Sequence, residues 1–479
     1  MSATAPTPGT APTPLERALA ALVGGPEHVR PGTASEYLVD AAAQTWGLRG
    51  HADAVALPGS PEEVAAVLAW CYERGVPVTV RGGGTGYAGG AMPEGGVVLA
   101  LERLTRIRSF DPLQWRLEVE AGVRTGDLRR IVRQSGLFFP PDPGAAEQSQ
   151  IGGNVATNAG GPHAFKYGVT GAYVTGIEAV VPPGDLLRIG GAQRKDVAAY
   201  DLKSLLIGSE GTLGVITSIW LRLIPAPEAF LPVAAFYRDT AAGCAALETV
   251  MGSGLAVAAL EYLDVGTLAA SGHAFPGDGL AGGPAGSPGI PEGAGFLVIA
   301  EADGTPEEAR RLRAEVLEAL ADGALAVHAP ETTAAVAELW RWRDLVSGMV
   351  AAKLGGKAGE DIVVPFDRLA EAIAATVEIG LRHGFAACSW GHAGDGNLHS
   401  NFLLPRLDPA GEIARVRVAA AELFAMAVSL GGSISGEHGI GSLKAGHLEA
   451  QLTPATYRLH GEVKRLFDPK NLLNPGKKR

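Results

Sequence analysis

Apolar positions recur at helical or strand spacing along most of the chain and predict a protein that mixes helices with strands. "SPEEVAAVLAWCYERG" has apolar residues three and four positions apart between an N-cap at Ser60 and a stop at Gly75, which predicts a helix. Short β-branched runs such as "VPVTV", "GVVLALE" and "WRLEVEAGV" predict strands. After "PAPEA" the composition shifts to long alanine-rich helical segments that alternate with strands, which predicts a domain boundary near residue 228. Helices are expected beyond it near residues 306–323, 333–354, 366–383, 410–430 and 453–467.

Composition and charge limit the classes of function. The chain has 479 residues, too many for one simple core, and a formal net charge of -11 without a basic stripe, so no nucleic-acid partner is expected. Three cysteines without metal-type spacing exclude a disulfide scaffold and a cysteine-ligated iron–sulfur cluster. The N-terminal stretch does not resemble a signal peptide, and no apolar run reaches the ~20 residues that span a bilayer. A cytoplasmic protein without a transmembrane segment is expected, with peripheral membrane association left open.

A glycine-rich loop, "RGGGTGYAGG", follows a predicted strand. Gly84, Gly86 and Gly89 have the G-x-G-x-x-G spacing of nicotinamide-binding Rossmann sites. That motif must open a helix, but only seven residues, including Pro93, separate Gly89 from the next strand at Val97, so no helix fits. We therefore expect the backbone amides of the loop to form a nest for phosphate oxygens, with the arginine before the glycines adding charge.

Two further glycine-rich stretches, "IGGNVATNAGG" and "GSEGTLGVITSI", follow later in the chain. Because the glycines of these stretches have no side chains, the backbone can approach a flat or phosphorylated ligand closely. Asn154, Thr157 and Asn158 can hydrogen-bond the polar edge of a ring system. The alternative interpretation is an irregular loop without a ligand.

"GHAGDGNLHSN" and "GEHGIG" hold three histidines among glycines. His392 and His399 would lie on opposite faces of one continuous strand, but a turn at "AGDG" folds the chain so that both rings can converge. Glu437 then supplies a carboxylate, and two histidines with one carboxylate are a common set of ligands for a divalent metal ion. His438 is a nearby base. In the alternative interpretation, the histidines only hydrogen-bond their turns.

The order of these motifs resembles a known family. "RGGGTGYAGG", "IGGNVATNAGG", "YGVTGAYV" and "IGSEGTLGVIT" resemble the FAD-binding domain of the vanillyl-alcohol-oxidase/PCMH flavoprotein superfamily. "GHAGDGNLH", "GGSISGEHGIG" and "LFDPKNLLNPGK" then resemble its 2-hydroxyacid dehydrogenase branch. That branch includes the glycolate oxidase FAD subunit, D-lactate dehydrogenase and D-2-hydroxyglutarate dehydrogenase. The resemblance covers residues 40–479.

The resemblance implies an α+β fold, with a PCMH-type two-subdomain FAD-binding domain and an α+β (ferredoxin-like) substrate or cap domain. The implied ranges are 1–40 for a flexible tail and lead-in, 41–227 for the FAD-binding domain, 228–450 for the cap domain with the metal site, and 451–479 for a segment that returns to the flavin. The first loop carries no histidine, so FAD is expected to be noncovalent. The implied FAD contacts are Arg81, Gly82, Gly83, Gly84, Thr85, Gly86, Gly152, Gly153, Asn154, Thr157, Asn158, Gly160, Gly161, Glu210, Gly211, Gly214, Ile216 and Asn474.

The resemblance also implies a divalent metal ion, expected to be zinc, and an oxidation of a 2-hydroxy acid to the 2-keto acid by hydride transfer to flavin N5. His438 would be the general base, Asn401 would contact the substrate, and Arg343 would bind the substrate carboxylate. The implied metal ligands are His392, His399 and Glu437.

The substrate and the partners are less closely specified. The D-2-hydroxyglutarate subgroup carries a lysine at a position that here falls near Gly359, and the nearest lysine is Lys357. This departure puts a dicarboxylate in doubt and favours a D-lactate- or glycolate-like acid, with D-2-hydroxyglutarate as the alternative. A flavin-dependent alkylglycerone-phosphate synthase relative ranks lower, because its run of consecutive histidines is missing. A partner protein, a quinone or oxygen would accept the electrons, and a homodimer is left open.

Overall fold

The computed structural model describes residues 11–271, 275–276, 289–404 and 409–478. Residues 11–225, which we call the N-terminal lobe, form two larger sheets and one two-stranded sheet that pairs residues 137–138 with 224–225. Its helices are α1 (Pro14–Leu22), α2 (Ala42–Trp46), α3 (Pro61–Arg74), α4 (Thr125–Arg133), α5 (Ile151–Thr157), α6 (Ala164–Tyr167) and α7 (Leu202–Leu206). Its strands are β1 (Val29–Pro31), β2 (Ala54–Ala56), β3 (Val78–Arg81), β4 (Val97–Ala100), β5 (Ile107–Asp111), β6 (Arg116–Glu120), β7 (Leu137–Phe138), β8 (Val174–Val181), β9 (Asp185–Gly190), β10 (Val215–Arg222) and β11 (Ile224–Pro225).

The two larger sheets of the N-terminal lobe differ in the relative direction of their strands. The first has the order β1-β2-β4-β3, and its last three strands are parallel. The second has the order β5-β6-β10-β8-β9 and is antiparallel throughout. No helix lies between β3 and β4, which confirms that the first glycine loop joins two strands directly.

One sequence expectation for the N-terminal lobe needs correction, and so does one of the alternative interpretations. Part of the predicted flexible tail is helix α1, because Thr13 and Glu16 form a capping box and Leu19 is fully buried in the core. Residues 1–10 lie outside the described part of the chain. The stretch "IGGNVAT" is helix α5 rather than an irregular loop, and Asn158 ends it in a left-handed conformation.

Residues 229–451, the C-terminal lobe, form one antiparallel sheet of seven strands in the order β15-β12-β14-β13-β17-β18-β16. Its strands are β12 (Ala229–Tyr237), β13 (Ala259–Asp264), β14 (Phe296–Gly304), β15 (Ala326–His328), β16 (Lys357–Val363), β17 (Ala387–His392) and β18 (Asn397–Leu403). Its helices are α8 (Thr240–Gly252), α9 (Val265–Ser271), α10 (Pro306–Ala321), α11 (Thr333–Leu354), α12 (Leu369–Arg382), α13 (Pro409–Ser429) and α14 (Leu448–Gln451).

Alternate residues of β12 belong to two different apolar cores, so helices cover both faces of this sheet. Val233 and Tyr237 pack on the side that carries α8, α10, α12 and α13, whereas Ala234 and Phe236 pack against α9 and α11. The five helices predicted from the sequence in this half of the chain are confirmed to within a few residues as α10 to α13 and α15 (Pro454–Phe467).

The end of the chain returns to the N-terminal lobe. The backbone of Val78 on β3 accepts a bond from the Asn474 amide and donates one to the carbonyl of Leu472, at 2.7 Å each. Within the described ranges, no helix has the length and apolar character that crossing a bilayer requires.

Candidate active site

A large cavity opens where the glycine-rich stretches of the N-terminal lobe face the seven-stranded sheet. Its empty volume is ≈ 2030 Å³, including the opening to solvent. Most of the site residues predicted from the sequence line it, from both lobes. They are Gly82, Gly83, Gly84, Thr85, Gly86, Gly152, Gly153, Asn154, Thr157, Gly160, Gly161, Glu210, Gly211, Gly214, Ile216, Arg343, His392, His399, Asn401, Glu437 and His438.

The glycines fit a large ligand, because side chains at two of them would project into the cavity. A Cβ atom on Gly86 or Gly153 would have no other atom within 4 Å. Gly152 faces the protein instead, where a Cβ would lie 2.5 Å from that of Ala121, so glycine is needed there for α5 to pack. We call the glycine-rich stretches that line the cavity, residues 82–86, 152–161 and 210–216, the cradle. The cradle thus offers backbone surface to a ligand on one side and packs closely against the protein on the other.

Arg81, Asn158 and Asn474 do not line the cavity, contrary to the prediction. The guanidinium of Arg81 donates to the carbonyls of Glu36 and Val39 at 2.7 Å each, so it holds the lead-in segment rather than facing a phosphate. Asn158 accepts a bond from the Gly171 amide.

Asn474 supports the cradle from behind. Its Oδ1 accepts from the amide that follows Thr79 on β3, and its Nδ2 donates to the carbonyl of Glu210, at 2.7 Å each. The Glu210 carboxylate in turn accepts from the amides of Ile440 and Gly441 in the other lobe, at 2.9 and 2.6 Å. Glu210 thus anchors the "GEHGIG" loop, a role that its place in a glycine-rich motif does not reveal.

The predicted histidine–carboxylate cluster forms part of the cavity lining. Glu437 Oε1 lies 3.5 Å from His392 Nε2 and 3.6 Å from His399 Nε2. The turn that brings the two histidines together is a single helical turn at Ala393–Asp395, followed by Gly396 with a φ of +66°. Two ligand atoms about 2.1 Å from a tetrahedral metal ion lie about 3.4 Å apart, so these three side chains have metal-ligand spacing.

Glu261 on β13 orients His392, and the sequence prediction missed it. One of its oxygens contacts His392 Nδ1 at 2.5 Å, and the other accepts from Arg343 Nε at 2.9 Å and from Arg343 Nη2. Burial would raise the pKa of Glu261, but His392 and Arg343 lower it. Glu261 is therefore an anion that fixes His392 with Nε2 directed at the cluster.

Asp361 on β16 shapes the loop that carries Glu437 and His438, and it was also missed. Its Oδ2 accepts from the amides of Gly436, Glu437 and His438 at 2.8–3.0 Å and from the Ser435 hydroxyl at 2.9 Å. Asp361 also lies near His399 and His438 in a second arrangement of possible ligand atoms. Because four donors already occupy Oδ2, we interpret Asp361 as the anchor of the loop.

Replacing Asp361 with asparagine is expected to lower the free energy of unfolding by about 3 kcal/mol. The new amide group would face either the four donors of the loop or the amide of Asn397, which now donates to Asp361 Oδ1 at 2.6 Å. Denaturant unfolding of the FAD-loaded protein measures the change. Asp367→Asn, on the surface beside Arg368, is the control and should change stability little. Equal stability of the two variants would contradict the anchor role.

His438 stacks between two rings at the cavity wall. Its ring lies 4.9 Å from that of Tyr87 and 5.2 Å from that of His399, and both arrangements are stacked. Burial lowers the pKa of His438, although Asp361 and Glu437 act in the opposite direction. The ring is thus held in one orientation and favours its neutral form.

Lys357 enters the cavity beside Asn401. Its Nζ donates to Asn401 Oδ1 at 2.8 Å and lies 5.1 Å from the centre of the Trp390 ring. Burial lowers the pKa of Lys357 to about 8. Asn401 donates in turn to the carbonyl of His399 at 2.7 Å, so both ends of its amide are used within the protein.

Comparison with known proteins agrees with this architecture. The family described as "FAD linked oxidases, C-terminal domain" matches residues 226–478, and the one described as "FAD binding domain" matches residues 52–190. Glycolate oxidase subunit GlcD of Bacillus subtilis is 36% identical, covering 95% of this chain and 94% of that protein. D-lactate dehydrogenase of Anaerostipes hadrus is 36% identical, covering 87% of each chain.

A solved structure of p-cresol methylhydroxylase with substrate bound has a TM-score of 0.74 at 17% identity, covering 97% of this chain and 96% of that one. It shows a shared fold, which confirms the predicted α+β architecture with a PCMH-type FAD-binding part. The extent of the sequence matches shows more than the fold. The chain therefore belongs to the FAD-linked oxidase family and is an FAD-dependent oxidoreductase of the type that includes glycolate oxidase subunit GlcD and D-lactate dehydrogenase.

Proposed function

We propose that this enzyme oxidises a 2-hydroxy acid to the 2-keto acid and needs a divalent metal ion, with zinc as the expected ion, in addition to noncovalent FAD. The observation that carries the proposal is the shared cavity: a glycine cradle, a histidine–carboxylate cluster and a buried arginine all face it. When bound, FAD supplies the acceptor for the hydride, and the metal ion supplies a positive charge that makes the substrate hydroxyl more acidic.

The cluster has the chemistry of a metal site. His392, His399 and Glu437 offer two imidazole nitrogens and one carboxylate oxygen, a set that suits zinc and related ions and leaves positions open for a substrate. Burial would lower the pKa of His392, but Glu261 and Glu437 raise it well above its ordinary value. The surroundings of His392 Nε2 therefore favour a positive charge, which a metal ion supplies as well as a proton does.

His438 has the position of a general base. It follows Glu437 in the chain, and its Nε2 lies 3.8 Å from Glu437 Oε1. A hydroxyl group bound at the cluster would thus lie beside this imidazole, which favours the neutral form that can accept a proton. Stacking on Tyr87 and His399 keeps the ring from turning away.

Arg343 has the position of the cation for the substrate carboxylate. It lines the cavity from α11 with a side chain that is 8% exposed. Glu261 uses its Nε and Nη2 and thereby fixes the plane of the guanidinium relative to His392. A 2-hydroxy acid has its carboxylate and hydroxyl on adjacent carbons. Glu261 bonds both Arg343 and His392, so it holds the cation and the proposed metal site at a fixed separation that suits these two groups.

An anaerobic titration tests the proposal. The purified FAD-loaded enzyme is expected to lose its flavin absorbance when a suitable 2-hydroxy acid is added, with D-lactate and the achiral glycolate as the first acids to try. The 2-keto acid should form in equal amount to the reduced flavin. L-lactate is the matched control. If the flavin is bound and no 2-hydroxy acid of either hand reduces it, the proposal is wrong.

A specific observation favours a second candidate, a 2-hydroxy acid that carries another carboxylate, as D-2-hydroxyglutarate does. The sequence placed Lys357 two positions away from the expected site and so argued against this substrate. In the structure, Lys357 Nζ lies 3.1 Å from where a Cβ of Gly359 would be, and both residues line the cavity. The lysine therefore reaches the space that a side chain at 359 would fill, and its one hydrogen-bond partner among the described residues is the neutral amide of Asn401.

A further inference from the structure

His163 joins the two lobes at a place away from the cavity lining. Its Nε2 lies 2.7 Å from Glu301 Oε1 on β14, and its Nδ1 contacts the carboxylate of Asp142, in the loop before α5. With a carboxylate at each nitrogen, both nitrogens must donate, which only the charged imidazolium can do. Burial would lower the pKa of His163, but Asp142 and Glu301 raise it well above its ordinary value.

Glu301 extends this contact to helix α11. Its other oxygen, Oε2, accepts from Trp340 Nε1 at 2.5 Å, and the indole lies 5.7 Å from the His163 ring. Trp340 precedes Arg343 by three residues, about one turn of the same helix. A continuous series of hydrogen bonds thus runs from Asp142 through His163 and Glu301 to the helix that presents Arg343 to the cavity.

A second contact crosses the same boundary without reaching α11. Lys166 and Tyr167 of α6 both bond the carboxylate of Asp303, two residues beyond Glu301 on β14. Asp303 is buried, and among the described residues its side chain bonds these two alone. This contact joins the same lobes through the same strand, so it offers a matched control.

We propose that His163 is a positioning residue, which sets Arg343 for substrate binding by linking the N-terminal lobe to helix α11 through Glu301 and Trp340. The proposal rests on the carboxylate-binding role of Arg343. Since His163 follows the glycine-rich stretch that forms part of the cradle, this link places the carboxylate site relative to the cradle. The Lys166–Asp303 contact holds the lobes together but does not determine where Arg343 lies.

Steady-state and anaerobic kinetics on FAD-loaded variants test this link. We expect His163→Gln and Trp340→Phe each to raise the KM for the reducing 2-hydroxy acid about tenfold, while the flavin reduction rate at saturation changes less than about threefold. The double variant should be no worse than the more affected single variant, because both substitutions interrupt the same series of bonds. Lys166→Met should lower the thermal midpoint of the FAD-loaded protein without raising KM.

Three results would overturn the proposal. They are an unchanged KM in both single variants, KM increases that multiply in the double variant, or an equal KM increase in Lys166→Met. If His163→Gln does not yield FAD-loaded protein, the comparison of KM between Trp340→Phe and Lys166→Met decides the question alone. Failure of the proposed function is distinguishable, because then no 2-hydroxy acid reduces the flavin of the unaltered enzyme.

Discussion

Replacing His392 with alanine is expected to leave the protein folded and loaded with FAD but to weaken its metal binding by at least about a hundredfold. In the proposed metal site His392 would supply one of three ligand atoms, and a site reduced to His399 and Glu437 would no longer surround an ion on three sides. Flavin reduction by the 2-hydroxy acid should fall by about three orders of magnitude, since the hydroxyl would lose its activation. Metal content measured by mass spectrometry, beside the flavin absorbance of the same sample, gives a readout that does not depend on activity.

The control for this experiment is His383→Ala. His383 also bonds a carboxylate, Glu422 at 2.8 Å, but it lies outside the cavity lining, so its loss should change neither metal nor flavin content. Glu261→Gln should give an intermediate result, with metal affinity lowered about 10- to 100-fold, because it orients a ligand without being one. Metal content that is unchanged in His392→Ala would exclude the histidine–carboxylate cluster as the metal site.

The residues that form the cavity could largely be predicted from the sequence, because each belongs to a local motif. The first glycine loop follows a predicted strand, the other glycine-rich stretches are continuous in the sequence, and the turn between His392 and His399 is marked by glycines on both sides of Asp395. Helices such as α10 were predictable for the same reason, since spacing and capping residues lie within one short segment.

The residues that organise the cavity were missed because their partners are distant in the chain. Glu261 lies 131 residues before His392, and Asp361 lies 76 before Glu437. Each lies in a strand segment whose acidic residues alternate with or adjoin apolar ones, "ALEYLD" or "EDIVV", and buried acidic residues are a signal for a charged or hydrogen-bonding partner. The partner itself becomes visible only when the fold brings β13 beside β17 and pairs Val363 at the end of β16 with Ser433, just before the loop that carries Glu437.

Lys357 shows a second limit of the sequence, because alignment by position does not locate the end of a long side chain. Lys357 and Gly359 are two positions apart on β16, so their side chains point to the same face of the sheet. Gly359 places no side chain on that face, and Asn401 Oδ1 and Lys357 Nζ lie 2.5 and 3.1 Å from where its Cβ would be. A different backbone position can therefore supply a cation to the same part of the cavity.

Replacing Lys357 with methionine is accordingly expected to lower kcat/KM for D-2-hydroxyglutarate about a hundredfold, as the loss of a charge-assisted hydrogen bond predicts. For D-lactate, which has no second carboxylate, the decrease should be less than about fivefold. Methionine is unbranched and nearly as long as lysine, so it removes the charge beside the Trp390 ring with little change of volume. Lys353→Met, on the surface of α11 where Lys353 bonds the carbonyl of Ala269, is the matched control.

The pH dependence separates a charged role of Lys357 from a packing role. Burial lowers the pKa of Lys357 to about 8, so the free enzyme loses this cation as the pH rises through that value. For the unaltered enzyme, kcat/KM with D-2-hydroxyglutarate should therefore fall above about pH 8 relative to kcat/KM with D-lactate, because only the diacid needs the charge. In Lys357→Met this ratio should be low and independent of pH. A ratio that Lys357→Met leaves unchanged would mean that the lysine only supports Asn401, and the dicarboxylate candidate would then be wrong.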